Sequence, residues 1–168
     1  MKATDLLKKQ HREVKALFRR AKKAEPAERR AILDEIAEQL AHHMEIEEEM
    51  FYPAVRAIGT KKADEIVPEA YEEHHVVKLV LNELPNVDPE DERFEAKMTV
   101  LKELVEHHAD EEEEEMFKLA EKIESGEQKQ LAQRMQEEAQ RLEQSADTEN
   151  GGHRGSRGGR ESHSERHA

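Results

Sequence analysis

HHMEIEEEMFYP, from His42 to Pro53, is the stretch on which the fold turns. The residues before it, Ile32, Ile36 and Leu40, recur every four positions, the spacing of one face of an amphipathic helix. The same face continues through His43, Glu47 and Met50 in steps of three, four and three. A histidine and a glutamate therefore occupy positions that a core-facing helix reserves for apolar side chains. HHADEEEEEMFKLA, from His107 to Ala120, repeats the arrangement: Leu101 and Val105 lead to His108 and Glu112 at the same spacing. Each His and Glu lie one helical turn apart on one face, where both side chains reach a common point.

Two more segments carry one inward histidine each. Leu7, His11, Val14 and Phe18 line up in the first, and Ala70, His74, Val77 and Leu81 in another. The spacing predicts four helices: Thr4 to Lys23; Pro26 to Pro53 or the Gly59-Thr60 turn; about Ile66 to Pro85; and a fourth carrying Phe94, Met98, Leu101 and Val105 after the loop PNVDPEDE. Short connections between long amphipathic helices imply antiparallel neighbours. The expected fold is all-α, an up-down antiparallel four-helix bundle over residues 1–124. After the Ser125-Gly126 break, QKQLAQRMQEEAQRLEQ reads as an additional C-terminal amphipathic helix, 125–144, whose stripe of Leu131, Met135, Ala139 and Leu142 packs on the bundle or meets a protein partner. Residues 145–168, rich in Gly, Ser, Arg and His and without apolar anchors, are expected to form a disordered tail. His153, His163 and His167 in that tail read as solvated.

Composition narrows the chemistry. The 168 residues include no cysteine, which excludes disulfides, thiolate metal sites and cysteine nucleophiles. A formal charge of −13 argues against nucleic-acid binding by the folded part. The basic N-terminal stretch lacks a continuous apolar run, so neither a signal peptide nor a membrane span is expected, and the chain reads as cytoplasmic.

Four histidines and two glutamates converging in one bundle core need compensation, because a buried carboxylate must be paired, hydrogen-bonded, protonated or bound to a cation. Two ions bridged by Glu47 and Glu112, with His11, His43, His74 and His108 as terminal ligands, use all six. Iron, manganese and zinc all suit these ligands. His42, His75 and His107 fall beside the stripes. Glu45, Glu48, Glu49, Glu111 and Glu113 to Glu115 read as solvating charges. HREVKALF from His11 aligns with HHVVKLVL from His74, and HMEIEEEMFYP with HADEEEEEMFK, so the bundle is two helical hairpins related by an approximate two-fold.

These motifs, over roughly Thr4 to Lys122, resemble the hemerythrin-like family, or HHE cation-binding domain. The resemblance implies two iron ions in a non-haem centre, bridged by two carboxylates and an oxo or hydroxo group, with the six residues above as ligands. It further implies binding or reduction of a small diatomic or peroxide ligand: dioxygen, peroxide or nitric oxide. An iron- or oxygen-responsive sensing module acting through the C-terminal helix is the alternative. Iron storage is disfavoured, since its E-x-x-H pattern occurs as Glu72 to His75, off the main stripe. One departure stands out. The family's third helix carries a further histidine four residues before His74, where this chain has Ala70. Tyr71 is taken into the ligand set for the vacant position, with His75 or water as the other occupants.

Overall fold

The computed structural model describes residues 1–151, and they form five helices. Helix α1 is Ala3–Lys23 and packs against α2, which runs through Pro26–Ile46, a π-helical turn at Glu47–Phe51 and a last stretch at Tyr52–Arg56. Gly59, at φ 76°, provides the left-handed residue that ends this rod. Helix α3, Lys61–Glu83, starts earlier than the apolar spacing predicts, because Thr60 Oγ1 accepts from the Ala63 amide and caps it. A short 3₁₀ turn at Leu84–Asn86 leads to α4, which comprises Glu92–Glu111, a second π turn at Glu112–Met116 and Phe117–Ala120. Helix α5 is Ser125–Gly151.

Helix α5 therefore continues beyond Gln144, into the stretch expected to be tail. Ser145 Oγ donates to the Arg141 carbonyl and Thr148 Oγ1 to the Ser145 carbonyl, so the polar residues bond back along the helix instead of breaking it. The rest of the expected tail, with His153, His163 and His167, lies outside the described residues. The apolar stripe of α5 is buried on the bundle: Leu131, Ala132, Met135 and Leu142 join a core with Ala3, Leu6, Leu7 and Ile123.

The four-helix bundle has two apolar cores. One, around Phe51, Tyr52, Val67 and Phe117, includes the α5 contact; the other holds Phe18, Ile36, Leu40, Phe94 and Leu101. Six buried polar residues among the described ones, His11, His43, Glu47, His74, His108 and Glu112, form a layer near their junction. A π turn inserts one extra residue into the helical ladder and rotates everything after it. In consequence Met50, expected on the stripe, is half-buried, while Phe51 and Tyr52 are fully buried. The second π turn has no proline, so the widening belongs to the repeated Glu-rich motif and not to Pro53. Among the described residues no helix is long and apolar enough to cross a membrane.

Candidate metal centre

Six of the seven residues expected as ligands converge, all but Tyr71. Glu47 Oε1 lies 3.1 Å from His43 Nε2 and 3.9 Å from His11 Nε2, and Glu47 Oε2 lies 3.1 Å from His74 Nε2 and 3.9 Å from His108 Nε2. Glu112 divides in the same way, with Oε2 3.3 Å from His11 Nε2 and Oε1 3.6 Å from His108 Nε2. Two clusters of ligating atoms result, His11, His43, Glu47 and Glu112 in one and Glu47, His74 and His108 in the other. Each carboxylate presents one oxygen to each histidine pair, the arrangement of a bridge.

A second ring of residues turns the imidazoles inward. His11 Nδ1 pairs with Glu113 Oε1 at 2.8 Å, His74 Nδ1 with Glu48 Oε1 at 2.9 Å, His43 Nδ1 with Gln10 Oε1 at 2.8 Å and His108 Nδ1 with Glu73 Oε2 at 2.5 Å. An Nδ1–H donated outward leaves the Nε2 lone pair facing the centre, the tautomer a metal requires. These contacts follow the internal two-fold: Glu48 corresponds to Glu113, and Gln10 to Glu73. Glu48 and Glu113 were expected only to solvate a face, and that reading is corrected. Each directly follows one of the two inward glutamates, which was the available signal.

Tyr71 does not join the ligands. Its hydroxyl donates to the Glu48 carbonyl at 2.8 Å, and its ring packs edge-on behind that of Tyr52. Tyr52 stands in the centre instead, donating to Glu112 Oε1 at 2.7 Å, with Glu47 Oε2 at 3.1 Å, His74 Nε2 at 3.0 Å and His108 Nε2 at 3.3 Å. The first π turn explains the exchange: the inserted residue brings position 52 onto the face that an unbroken helix would give to position 51. His75 and His107 are exposed and His42 is half-buried, beside the stripes as expected.

The electrostatics are those of a site built around positive charge. Burial alone would raise the Glu47 carboxyl, but His43, His108 and His74 hold it well below the usual carboxylate range. Burial opposes the charged form of His108 as well, yet Glu112, Glu47 and Glu73 push its pKa well above the ordinary value. His11 is raised against its burial by Glu112, Glu47 and Glu113, whereas burial prevails at His43 and lowers it. Burial, followed by the charges of Glu47 and Glu112, drives the Tyr52 phenol well above its ordinary value.

Among the described residues three buried side-chain atoms have no hydrogen-bond partner: His11 Nε2, Glu47 Oε1 and Glu112 Oε2. All belong to the first cluster. With Nδ1 of His11 and His43 protonated, this cluster presents only acceptors, which repel unless a cation or proton lies among them. Each buried unsatisfied group costs about 1–3 kcal/mol, so their grouping fits a bound metal ion. The second cluster has Tyr52 as its donor.

The chain matches the family described as Hemerythrin HHE cation binding domain over residues 2–120. It is 31% identical over 119 residues to the uncharacterised protein Rv2633c of Mycobacterium tuberculosis and, equally, to Mb2666c of Mycobacterium bovis, covering 70% of this chain and 71% of each relative. The crystal structure of a hemerythrin HHE cation binding domain-containing protein from Mycobacterium kansasii, an Rv2633c homolog, superposes with a TM-score of 0.75 at 29% identity, covering 87% of this chain and 90% of that one. Fold, buried ligand layer and family match agree: the chain belongs to the hemerythrin HHE cation-binding domain family, a helical metal-binding domain.

Proposed function

We propose that the chain is a di-iron protein that binds or reduces a small oxidant, dioxygen, peroxide or nitric oxide, at its bundle core. The observation that carries this reading is the division of Glu47 and Glu112, each of which sends one oxygen toward each histidine pair. Such a donor set serves two ions sharing two carboxylates. His11 and His43 would hold one ion and His74 and His108 the other, with Tyr52 beside the second pair where the family's further histidine is absent. Bound iron would supply electrons and a coordination position for the oxidant.

The chain's own residues define what such a site admits. A cavity of about 20 Å³ is lined by the four histidines and by Val14, Leu40, Met44, Val77 and Val105. Its size and apolar walls suit a molecule of two or three atoms and exclude larger ones. In the metal-free protein Tyr52 holds its proton between the two carboxylates, and its environment keeps it there at neutral pH. Phe51 and Phe117 pack edge-to-face beside the centre and shield it from bulk water. A sensing role through the C-terminal helix needs an apolar face on α5, and its Leu131, Met135 and Leu142 are buried against the bundle.

Metal analysis with a visible spectrum of protein purified in air tests the proposal. About two irons per chain with ferric absorption are expected. Zinc at about one per chain, or no metal, rules the reading out.

A further inference from the structure

The two halves of the centre are matched by the internal repeat, but their outward surfaces are opposite in character. Around the His11 and His43 half stand Leu6, Leu7, Ile46 and Met50. The repeat places Glu69, Ala70, Glu111 and Glu115 at the corresponding positions around the His74 and His108 half. The apolar set is covered: Leu6, Leu7 and Ile46 are buried in the core that also holds Leu131, Met135 and Leu142 of α5. At the related position between α3 and α4 a cavity of about 170 Å³ opens instead, with Glu69, Ala70, Glu73, Glu111 and Glu115 on its walls.

This cavity reaches the ligands. His108 and Glu112 both line it and both are buried, so the cavity runs from exposed carboxylates to the buried layer of the centre. Among the described residues Lys62 is the only lysine or arginine on the wall and is bound to Glu115 at 2.6 Å, and the exposed Glu69 and Glu111 stand at the mouth, Glu111 3.2 Å from the exposed His107. Glu73 faces His108. Ala70 supplies the opening: the equivalent Leu7 is fully buried and fills its place in the other half.

We propose that this acidic cavity is the route by which a divalent cation reaches the centre, and that α5 seals its symmetry-related counterpart. A cleft lined by one sign of charge concentrates the opposite ion and raises its arrival rate by roughly 10- to 1000-fold. Glu69 and Glu111 act by attracting the ion at the mouth, and Ala70 by leaving the passage open. The inference rests on the metal-centre reading above.

Cobalt(II) uptake by full-length, chelator-stripped protein, followed by stopped-flow absorbance, tests it. Glu69→Lys combined with Glu111→Lys is expected to slow uptake by roughly tenfold or more at low salt, with the cobalt bound at equilibrium unchanged. Glu95→Lys combined with Glu103→Lys, exposed at the far end of α4, is expected to leave the rate as it is. Ala70→Leu is expected to slow uptake at every salt concentration, with far-UV circular dichroism checking its fold; should it unfold, the charge variants decide. Uptake by the Glu69/Glu111 variant at the wild-type rate overturns the route. A wild-type protein that binds no cobalt at equilibrium overturns the metal centre itself, and the route with it.

Discussion

Tyr52 Oη donates to Glu112 Oε1 at 2.7 Å and lies 3.1 Å from Glu47 Oε2, so a single phenol joins the two carboxylates that divide between the histidine pairs. It also stands 3.0 Å from His74 Nε2, on the side where Ala70 replaces the family's histidine. Binding of ferric iron by this oxygen would give a tyrosinate charge-transfer band in the visible. Tyr52→Phe is expected to remove that band, and Tyr71→Phe, bonded to a backbone carbonyl outside the cluster, to leave it in place. Spectra of the iron-loaded variants decide; a band lost in Tyr71→Phe and kept in Tyr52→Phe reverses the assignment. In the metal-free protein Tyr52→Phe also strips a donor from two buried carboxylates, a loss of about 1–3 kcal/mol measurable by denaturation.

Why Tyr52 escaped a reading of the sequence is a matter of helical phase. Every inward polar residue up to Glu47 and Glu112 follows the three-four spacing, so the bundle, its hairpin repeat and all six inward residues were legible from apolar periodicity alone. The π turns begin at those glutamates, and a one-residue insertion in a hydrogen-bond ladder leaves no residue-type signature. The trace it did leave was spacing: Tyr52 follows Glu47, and Phe117 follows Glu112, by five residues in both repeats. Two aromatics at that offset share the ligand face only if one residue has been inserted. The outward partners Glu48, Glu113, Gln10 and Glu73 were hidden for another reason, since a charged residue at a stripe's edge reads the same whether it meets water or an imidazole.

The two buried glutamates are separable from their acidic neighbours. Glu47→Ala or Glu112→Ala removes oxygens facing both histidine pairs and is expected to abolish the dinuclear centre. Glu49→Ala and Glu114→Ala, at exposed positions in the same two motifs, are expected to retain full metal content. Equal metal in all four variants, measured by elemental analysis, defeats the assignment.

Removing the metal should make stability depend on pH in a definite sense. His108 has a folded pKa raised well above 6.5, so its contribution is complete below about 6.5 and is lost as pH rises through the folded value. His11 acts in the same sense, and His43, lowered by burial, in the opposite one. Glu47, held well below 4.5, contributes fully above about 4.5 and loses that contribution as pH falls through its folded value. A metal ion takes the place of the imidazole protons, so the loaded protein does not lose the His108 contribution on the alkaline side. The Tm gap between loaded and metal-free protein is therefore expected to widen from about pH 6.5 upward. Thermal melts of both forms across that range check it, and a gap that narrows with rising pH contradicts the expectation.

The outward partners of the histidines distinguish the two halves of the centre. His108 Nδ1 donates to Glu73, an anion, whereas its counterpart His43 donates to the neutral amide oxygen of Gln10. A carboxylate behind an imidazole makes Nε2 the stronger donor to a metal, and losing such a partner typically weakens binding by about 10- to 100-fold. Glu73→Gln is therefore expected to weaken the His74 and His108 half, and Gln10→Glu to strengthen the His11 and His43 half. Stepwise cobalt(II) titration reads both, because the two changes act on different steps of the isotherm: the first weakens one step while the other keeps its midpoint, and the second tightens the step that the first leaves alone. If both substitutions move the same step, the two histidine pairs do not belong to separate ions, and the division of ligands drawn from Glu47 and Glu112 fails with them.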